Sequence, residues 1–359
     1  MVLKWLLMTV LVFGSACSAS GQKTEFVQAE DGSWVVAAQP EAGTDEAVIA
    51  EARQLLAQDK PAAAGRVIDR WIEAHEGGDN RWMAQALLLR GDTKTALGHE
   101  HDALFDYEAV LLDYPASEAF VKAAEREFDI GVRYLRGMRR KLFGLRISKA
   151  ESEGVELLIR VSTRLPGSKL AEKAHLELAE YYYRTQDLKS AALMYELIVQ
   201  NFPESEHRAE AMIRRIDANI AMFKGPRYDG SGLLEARFLI ARFVAMYPAE
   251  AQRAGIGDAL NAWVDERQGE QMLDTAMWYL KRGDPTSARF VLRRLQRKHP
   301  LSIAAGRAIQ IMVDRGWLTT KIDQVVTDDS FVTDPIGPEP VELDEAVGAE
   351  GANGEEDGS

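Results

Sequence analysis

Six histidines are scattered through the 359-residue chain, and only one group of them has ligand-like spacing. His99-Glu100-His101-Asp102 sets four potential metal ligands in consecutive positions. Two imidazoles at i and i+2 on a turn still need a third ligand from elsewhere, so the group reads as a solvated polar turn. No metal and no other cofactor is expected. Nucleophilic chemistry has less to work with. The sole cysteine, Cys17, precedes the helical body, and no serine lies in a Gly-x-Ser-x-Gly context. Gly255-Ile256-Gly257 lacks both the further glycine and the preceding strand of a phosphate-cradling loop. Carboxylates are plentiful, but none pair at a recognisable spacing. The residues therefore point to binding and not to catalysis.

Two stretches carry binding chemistry. Residues 133–146 (RYLRGMRRKLFGLR) interleave Arg133, Arg136, Arg139, Arg140, Lys141 and Arg146 with Leu135, Met138, Leu142, Phe143 and Leu145. Three readings stay open: a solvated helix end in favourable contact with the helix dipole, a site for acidic lipid headgroups or an acidic partner, or capture of the chain's own acidic tail. Arg139, Arg140 and Lys141 are the candidate contacts. The run Tyr181-Tyr182-Tyr183 must point around a helix, so at least one ring should face outward, and Tyr182 and Tyr183 are candidate peptide contacts. Trp278 and Tyr279 read as core. A second basic group, Arg293, Arg294, Arg297 and Lys298, closes a helix and reads as dipole complementation.

Charge and termini place these stretches in a chain with two distinct ends. The formal net charge is −13, yet residues 322–359 hold twelve acidic side chains and no Lys or Arg, leaving 44 acidic against 43 basic residues before them. The acidity belongs to a tail, and a nearly neutral body offers no footprint for nucleic acid. At the other end, Lys4 precedes an apolar run over residues 5–13, then Gly14, Ser15, Ala16 and Cys17. This is the pattern of a secretory signal, too short to span a bilayer. The arrangement resembles the lipobox of bacterial lipoproteins, with Gly14 standing where that motif usually has an aliphatic residue. The resemblance implies acylation of Cys17 and a membrane anchor, with ordinary cleavage nearby as the alternative.

The elements that must position everything else are helices. Between residues 45 and 318 there is almost no period-2 alternation, and short breaks separate segments rich in Ala, Leu, Glu and Arg. Five of the breaks carry a proline: Pro115, Pro166, Pro203, Pro248 and Pro300. Twelve residues before each stands a small residue (Ala103, Gly154, Ala191, Ala236, Ala288), and eight before stands a large apolar one (Tyr107, Leu158, Tyr195, Ile240, Leu292). The small residue lets two helices approach, the large one fills the space between hairpins, and proline cannot continue the helix. Serine two positions after proline (Ser117, Ser168, Ser205, Ser302) can cap the next helix, with Glu250 the exception.

This register resembles the tetratricopeptide repeat, a helical hairpin of about 34 residues. Gly91, Gly98, Ala103, Tyr107 and Pro115 match it in one unit, and Leu178, Tyr182, Ala191, Tyr195 and Pro203 in another. A degenerate first unit is expected over 45–76, with Ala64 as its small residue, and insertions over 137–149, near 224–232 and after Pro248. Residues 272–302 and 169–205 resemble units of BamD-type outer-membrane lipoproteins, notably Tyr279–Gly283 (YLKRG) after an aromatic-rich helix.

The expected architecture is an all-α, right-handed superhelical solenoid of about six such hairpins, closed by a helix near 304–317. Around it lie a signal segment (1–16), a tether (17–44) with a small hairpin at Asp31-Gly32, and a disordered acidic tail (319–359). The BamD resemblance implies an envelope scaffold on the periplasmic face of the outer membrane, held there by its lipid. Its implied partners are a β-barrel assembly subunit and unfolded outer-membrane proteins. A different envelope scaffold, for cell division or cell-wall coordination, is the alternative, and a lipoprotein enzyme the third class.

Overall fold

The computed structural model describes residues 26–28, 34–36, 40–78, 80–142 and 144–318. The signal segment, Cys17 and the acidic tail lie outside the described residues. Within them the chain is all-α but for two short hairpins. The first pairs β1 (Phe26–Gln28) with β2 (Trp34–Val36), antiparallel, with Phe26 opposite Val36.

Six helical hairpins follow. They are α1 (Asp45–Ala57) with α2 (Pro61–Ala74), α3 (Met83–Ala96) with α4 (Glu100–Asp113), α5 (Ala119–Leu135) with α6 (Glu151–Arg164), α7 (Lys169–Arg184) with α8 (Leu188–Asn201), α9 (Arg208–Ala221) with α10 (Ser231–Met246), and, after the short α11 (Pro248–Ala254), α12 (Asp258–Lys281) with α13 (Pro285–Lys298). α14 (Ile303–Asp314) packs on α12 and α13. First helices also touch across hairpins, α1 on α3, α3 on α5, α5 on α7 and α12 on α14, which makes the molecule a helical solenoid.

Two kinds of helix end alternate, and local sequence dictates each. First helices other than α9 end in a left-handed residue with paired backbone bonds. At α3, Gly98 (φ +73°) follows the cap and His99 N–H donates to Lys94 O at 2.8 Å. At α12, Asp284 N–H donates to Tyr279 O at 3.0 Å across Gly283. Second helices after α2 end at the residue before proline, which the ring forces out of the helical region. Tyr114, Leu165, Phe202, Tyr247 and His299 all share φ between −123° and −133° and ψ between 52° and 67°. α14 closes like a first helix, with Trp317 N–H on Met312 O at 2.8 Å.

The serines after proline behave less uniformly than the sequence suggests. Ser168 and Ser302 cap α7 and α14, accepting from Ala171 N–H and Ala305 N–H. Ser117 caps nothing through its side chain, and Ser205 hydrogen-bonds Glu172 and accepts from His207 N–H instead. In both cases the helix starts later than the repeat frame places it.

Ala64, Ala103, Ala191, Ala236 and Ala288 are fully buried, as are Ile68, Tyr107, Leu158, Ile240 and Leu292 one turn on. One close approach is between α5 and α6. A Cβ added at Gly154 would sit 2.8 Å from the carbonyl oxygen of Gly131, backbone against backbone, with Tyr134 Cβ at 3.0 Å. Nothing flexible can yield there. Gly154→Ala is therefore expected to cost about 1–3 kcal/mol of stability, outweighing the ~1 kcal/mol that alanine gains in helix propensity. Gly306→Ala in α14, whose Cβ would meet nothing within 4 Å, should be neutral or stabilising. Urea denaturation of both variants checks this; equal responses would sink the close-approach argument.

Candidate partner-binding surface

The basic segment 133–146 is neither a solvated helix end nor a helix at all beyond Leu135. It turns at Gly137 and forms β3 (Arg140–Leu142) and β4 (Leu145–Ser148), an antiparallel hairpin with a register shift between Arg140 and Lys141. Its charges fold inward onto the turn between α3 and α4. Glu100, only 3% exposed, accepts Arg146 Nη2 at 2.7 and 2.9 Å and Arg133 Nη2 at 2.9 Å. Arg136 pairs with Glu177 at 2.6 Å.

His101 Nδ1 meets Glu153 Oε1 at 3.0 Å, and Arg140 Nη1 lies 3.6 Å from the same carboxylate. The sequence reading of 99–102 as a solvated turn is thus corrected. Glu100 to Asp102 form the first turn of α4, and Glu100 is a buried anchor for the hairpin.

Of the candidate contacts, Arg140 is half-buried and Lys141 Nζ reaches Leu97 O at 3.4 Å. Arg139 alone is exposed without an acidic partner among the described residues. Leu145 and Ile147 of β4 face solvent. Tyr182 and Tyr183 are half-buried like Tyr181, so no ring of the three stands fully outward. Tyr182 packs between two core clusters, and its burial pushes the phenol pKa up.

Burial alone would raise the Glu100 pKa. The Arg146 hydrogen bond and the charges of Arg146 and Arg133 outweigh it and hold the carboxyl below its usual range. A second buried carboxyl, Glu127, behaves oppositely. Burial, then the hydrogen-bonding and charge of neighbouring Glu108, push it up, although Arg164 donates to both at 3.1 and 2.5 Å. This cluster stitches α4, α5 and α6 together.

A cleft with room for a partner lies farther along. The loop between α9 and α10 and the second half of α12 enclose an open cleft of about 700 Å³. Gln271 Nε2 donates to Tyr228 O at 2.7 Å and fixes the loop, while Arg227 pairs with Asp274 at 3.6 Å. Tyr228 is 60% and Trp278 47% exposed, with Met277 beside them. Arg282 stacks 4.2 Å above the Trp278 ring, and Tyr279 meets its edge at 5.0 Å.

Aromatic and thioether walls with a charged rim suit an apolar-anchored protein segment. Sequence reasoning took Trp278 for core. The signal it could have used is the insertion near 224–232, which the repeat frame does not require and which carries Tyr228. Among the described residues no group of His, Cys, Asp or Glu is arranged to hold a metal, and no helix is long and apolar enough to cross a membrane.

The hairpin register and the helix ends define a helical-repeat fold of the tetratricopeptide type. More specifically, residues 148–325 match the family model described as YfiO, outer membrane lipoprotein, and over that stretch the chain is BamD-like. The stretch contains the whole cleft. A comparison with curated proteins finds no match. Among solved structures, the C-terminal part of a TPR repeat-containing protein from Cytophaga hutchinsonii is 13% identical, covering 75% of this chain and 89% of that one, with a TM-score of 0.37. An assembly chaperone of RpL4 (Acl4) is 14% identical, covering 76% and 98%, with a TM-score of 0.22.

Replacing Glu100 leaves two guanidiniums aimed at one another. Glu100→Gln is expected to cost about 1–3 kcal/mol, toward the low end because both arginines remain partly in water. Trypsin cleavage at Arg139 should accelerate. Because the folded pKa is depressed, the Glu100 contribution is present above its unfolded value of ~4.3 and is lost as pH falls through the lower folded value. Urea midpoints at pH 7 and pH 3 should thus differ more for the wild type than for the variant; parallel shifts would contradict the anchor role.

Proposed function

We propose that the protein is a lipid-anchored, non-enzymatic protein-binding scaffold of the bacterial envelope, acting as a BamD-like component in the assembly of outer-membrane β-barrel proteins. The observation that carries this is the family match over residues 148–325, because it spans α6 to α14 and therefore the aromatic cleft. In this reading Cys17 is acylated and holds the solenoid at the periplasmic face of the outer membrane. The solenoid receives extended or helical segments of its partners, a barrel-forming assembly subunit and unfolded barrel substrates, through side chains and not through chemistry. Tyr228 and Trp278 supply the apolar anchor, and Arg227, Asp274 and Lys281 the rim.

The N-terminal hairpins α1 to α5 lie outside the matched stretch. They favour a second reading, in which the same anchor serves cell-division or cell-wall proteins. Purification of the tagged protein from detergent-solubilised membranes, with partners identified by mass spectrometry, separates the two. An outer-membrane barrel protein is expected as the dominant partner, and Trp278→Ala should reduce its recovery about tenfold, the effect of losing one interface hot spot. Cys17→Ser should shift the protein to the soluble fraction. Recovery of division or peptidoglycan-associated proteins with no barrel subunit would overturn the assembly reading.

A further inference from the structure

Basic side chains without an ion pair among the described residues occur all along the solenoid, and five of them share one helix of its last complete hairpin. α13 carries Arg289, Arg293, Arg294, Arg297 and Lys298 and no acidic residue within its bounds. None of the five forms an ion pair among the described residues, and Arg293, Arg294, Arg297 and Lys298 are exposed. Arg297 and Lys298 do occupy the last turn, where the helix dipole favours them, but Arg293 and Arg294 lie a turn earlier, beyond that influence. The hairpin arginines near Glu100 differ: Arg133, Arg136 and Arg146 already have carboxylates. The same face of α13 presents Phe290, 60% exposed, and Leu301 stands 97% exposed just beyond Pro300.

The chain itself supplies a complementary segment. Asp323, Asp328, Asp329, Asp334, Glu339 and Glu342 alternate with apolar residues including Phe331, Val332, Ile336 and Leu343, and no Lys or Arg interrupts them. Its starting point is also on the page. Arg289 Nη2 donates to Trp317 O at 3.5 Å, so the chain leaves the described structure beside the second turn of α13. From there to Lys298 is roughly 14 Å at 1.5 Å per residue. Twenty flexible residues have a root-mean-square span of about 25 Å. At such distances a tethered segment is present at an effective concentration on the order of millimolar, enough for a weak polyelectrolyte contact to be occupied.

We propose that residues 323–345 of the acidic tail dock on the basic face of α13, with the carboxylates on Arg293, Arg294 and Arg297 and the apolar residues on Phe290 and Leu301. The tail shields this face, and an anionic partner must displace it to gain the same arginines.

The sole cysteine makes the test direct. In the full mature chain carrying Cys17→Ser, spin labels are placed at Thr286→Cys and Gly337→Cys and their separation is measured by double electron–electron resonance. A narrow distance distribution is expected at 50 mM NaCl, at least doubling in width at 500 mM as screening shortens the reach of charge. Arg293→Glu/Arg294→Glu/Arg297→Glu should broaden it at low salt, and adding Asp328→Lys/Asp329→Lys/Asp334→Lys should narrow it again, which a misfolded variant could not do. Arg139→Glu/Lys141→Glu should leave it unchanged. A broad distribution in the starting protein, a narrow one that survives the α13 reversal, or one lost on the Arg139/Lys141 reversal would overturn the proposal.

Discussion

Everything in this solenoid depends on how closely the two helices of a hairpin can approach. Where α6 crosses α5, Gly154 and Gly131 bring backbone to backbone, and at the equivalent points of α2, α4, α8, α10 and α13 an alanine is fully buried. That contact fixes the crossing, and the crossing fixes where the next turn of helix points. Tyr107, Leu158, Ile240 and Leu292, one turn on, are fully buried, Tyr107 against Gly91 and Leu158 against Gly131 on the partner helix of the same hairpin. A single hairpin cannot bury such a face alone, so each unit takes part of its stability from its neighbours.

The turns between the helices carry what differs among units. Where the first-helix turn is short, as at Gly98 or Gly283, the chain reverses in a left-handed residue and nothing is left over. Where it is long, the surplus chain is put to use. The insertion between α5 and α6 becomes a β-hairpin that lays its arginines on Glu100 of the preceding unit, stapling two repeats. The loop between α9 and α10 presents Tyr228 against α12 and creates the cleft. The two insertions illustrate opposite fates for exposed surface. One is drawn into the fold by a buried carboxylate, and the other is left open for a partner.

Electrostatics follows the same division. Part of the body's nearly balanced charge is spent on contacts between neighbouring helices, such as Arg164 with Glu108 and Glu127, and Arg215 with Glu196 and Glu235. On α13 the arginines have no carboxylate partner among the described residues.

The sequence by itself determined most of the helices, their proline-marked ends and their register, because these rest on local chemistry. Proline excludes the preceding residue from the helical region wherever it occurs, and a small residue twelve positions earlier has meaning within one hairpin. The BamD-like character was legible in residues 272–302 for the same reason. Tertiary structure alone decided which charged and aromatic side chains remain available. Arg133 and Arg146 look as free in the sequence as Arg293 and Arg294, and Trp278 looks as core-like as Tyr134. Their difference is a distance to a residue tens of positions away, Glu100 in one case and the Tyr228 loop in another. Pairing and burial across repeats are set by the stacking of units, and no local pattern records which neighbour a side chain will meet.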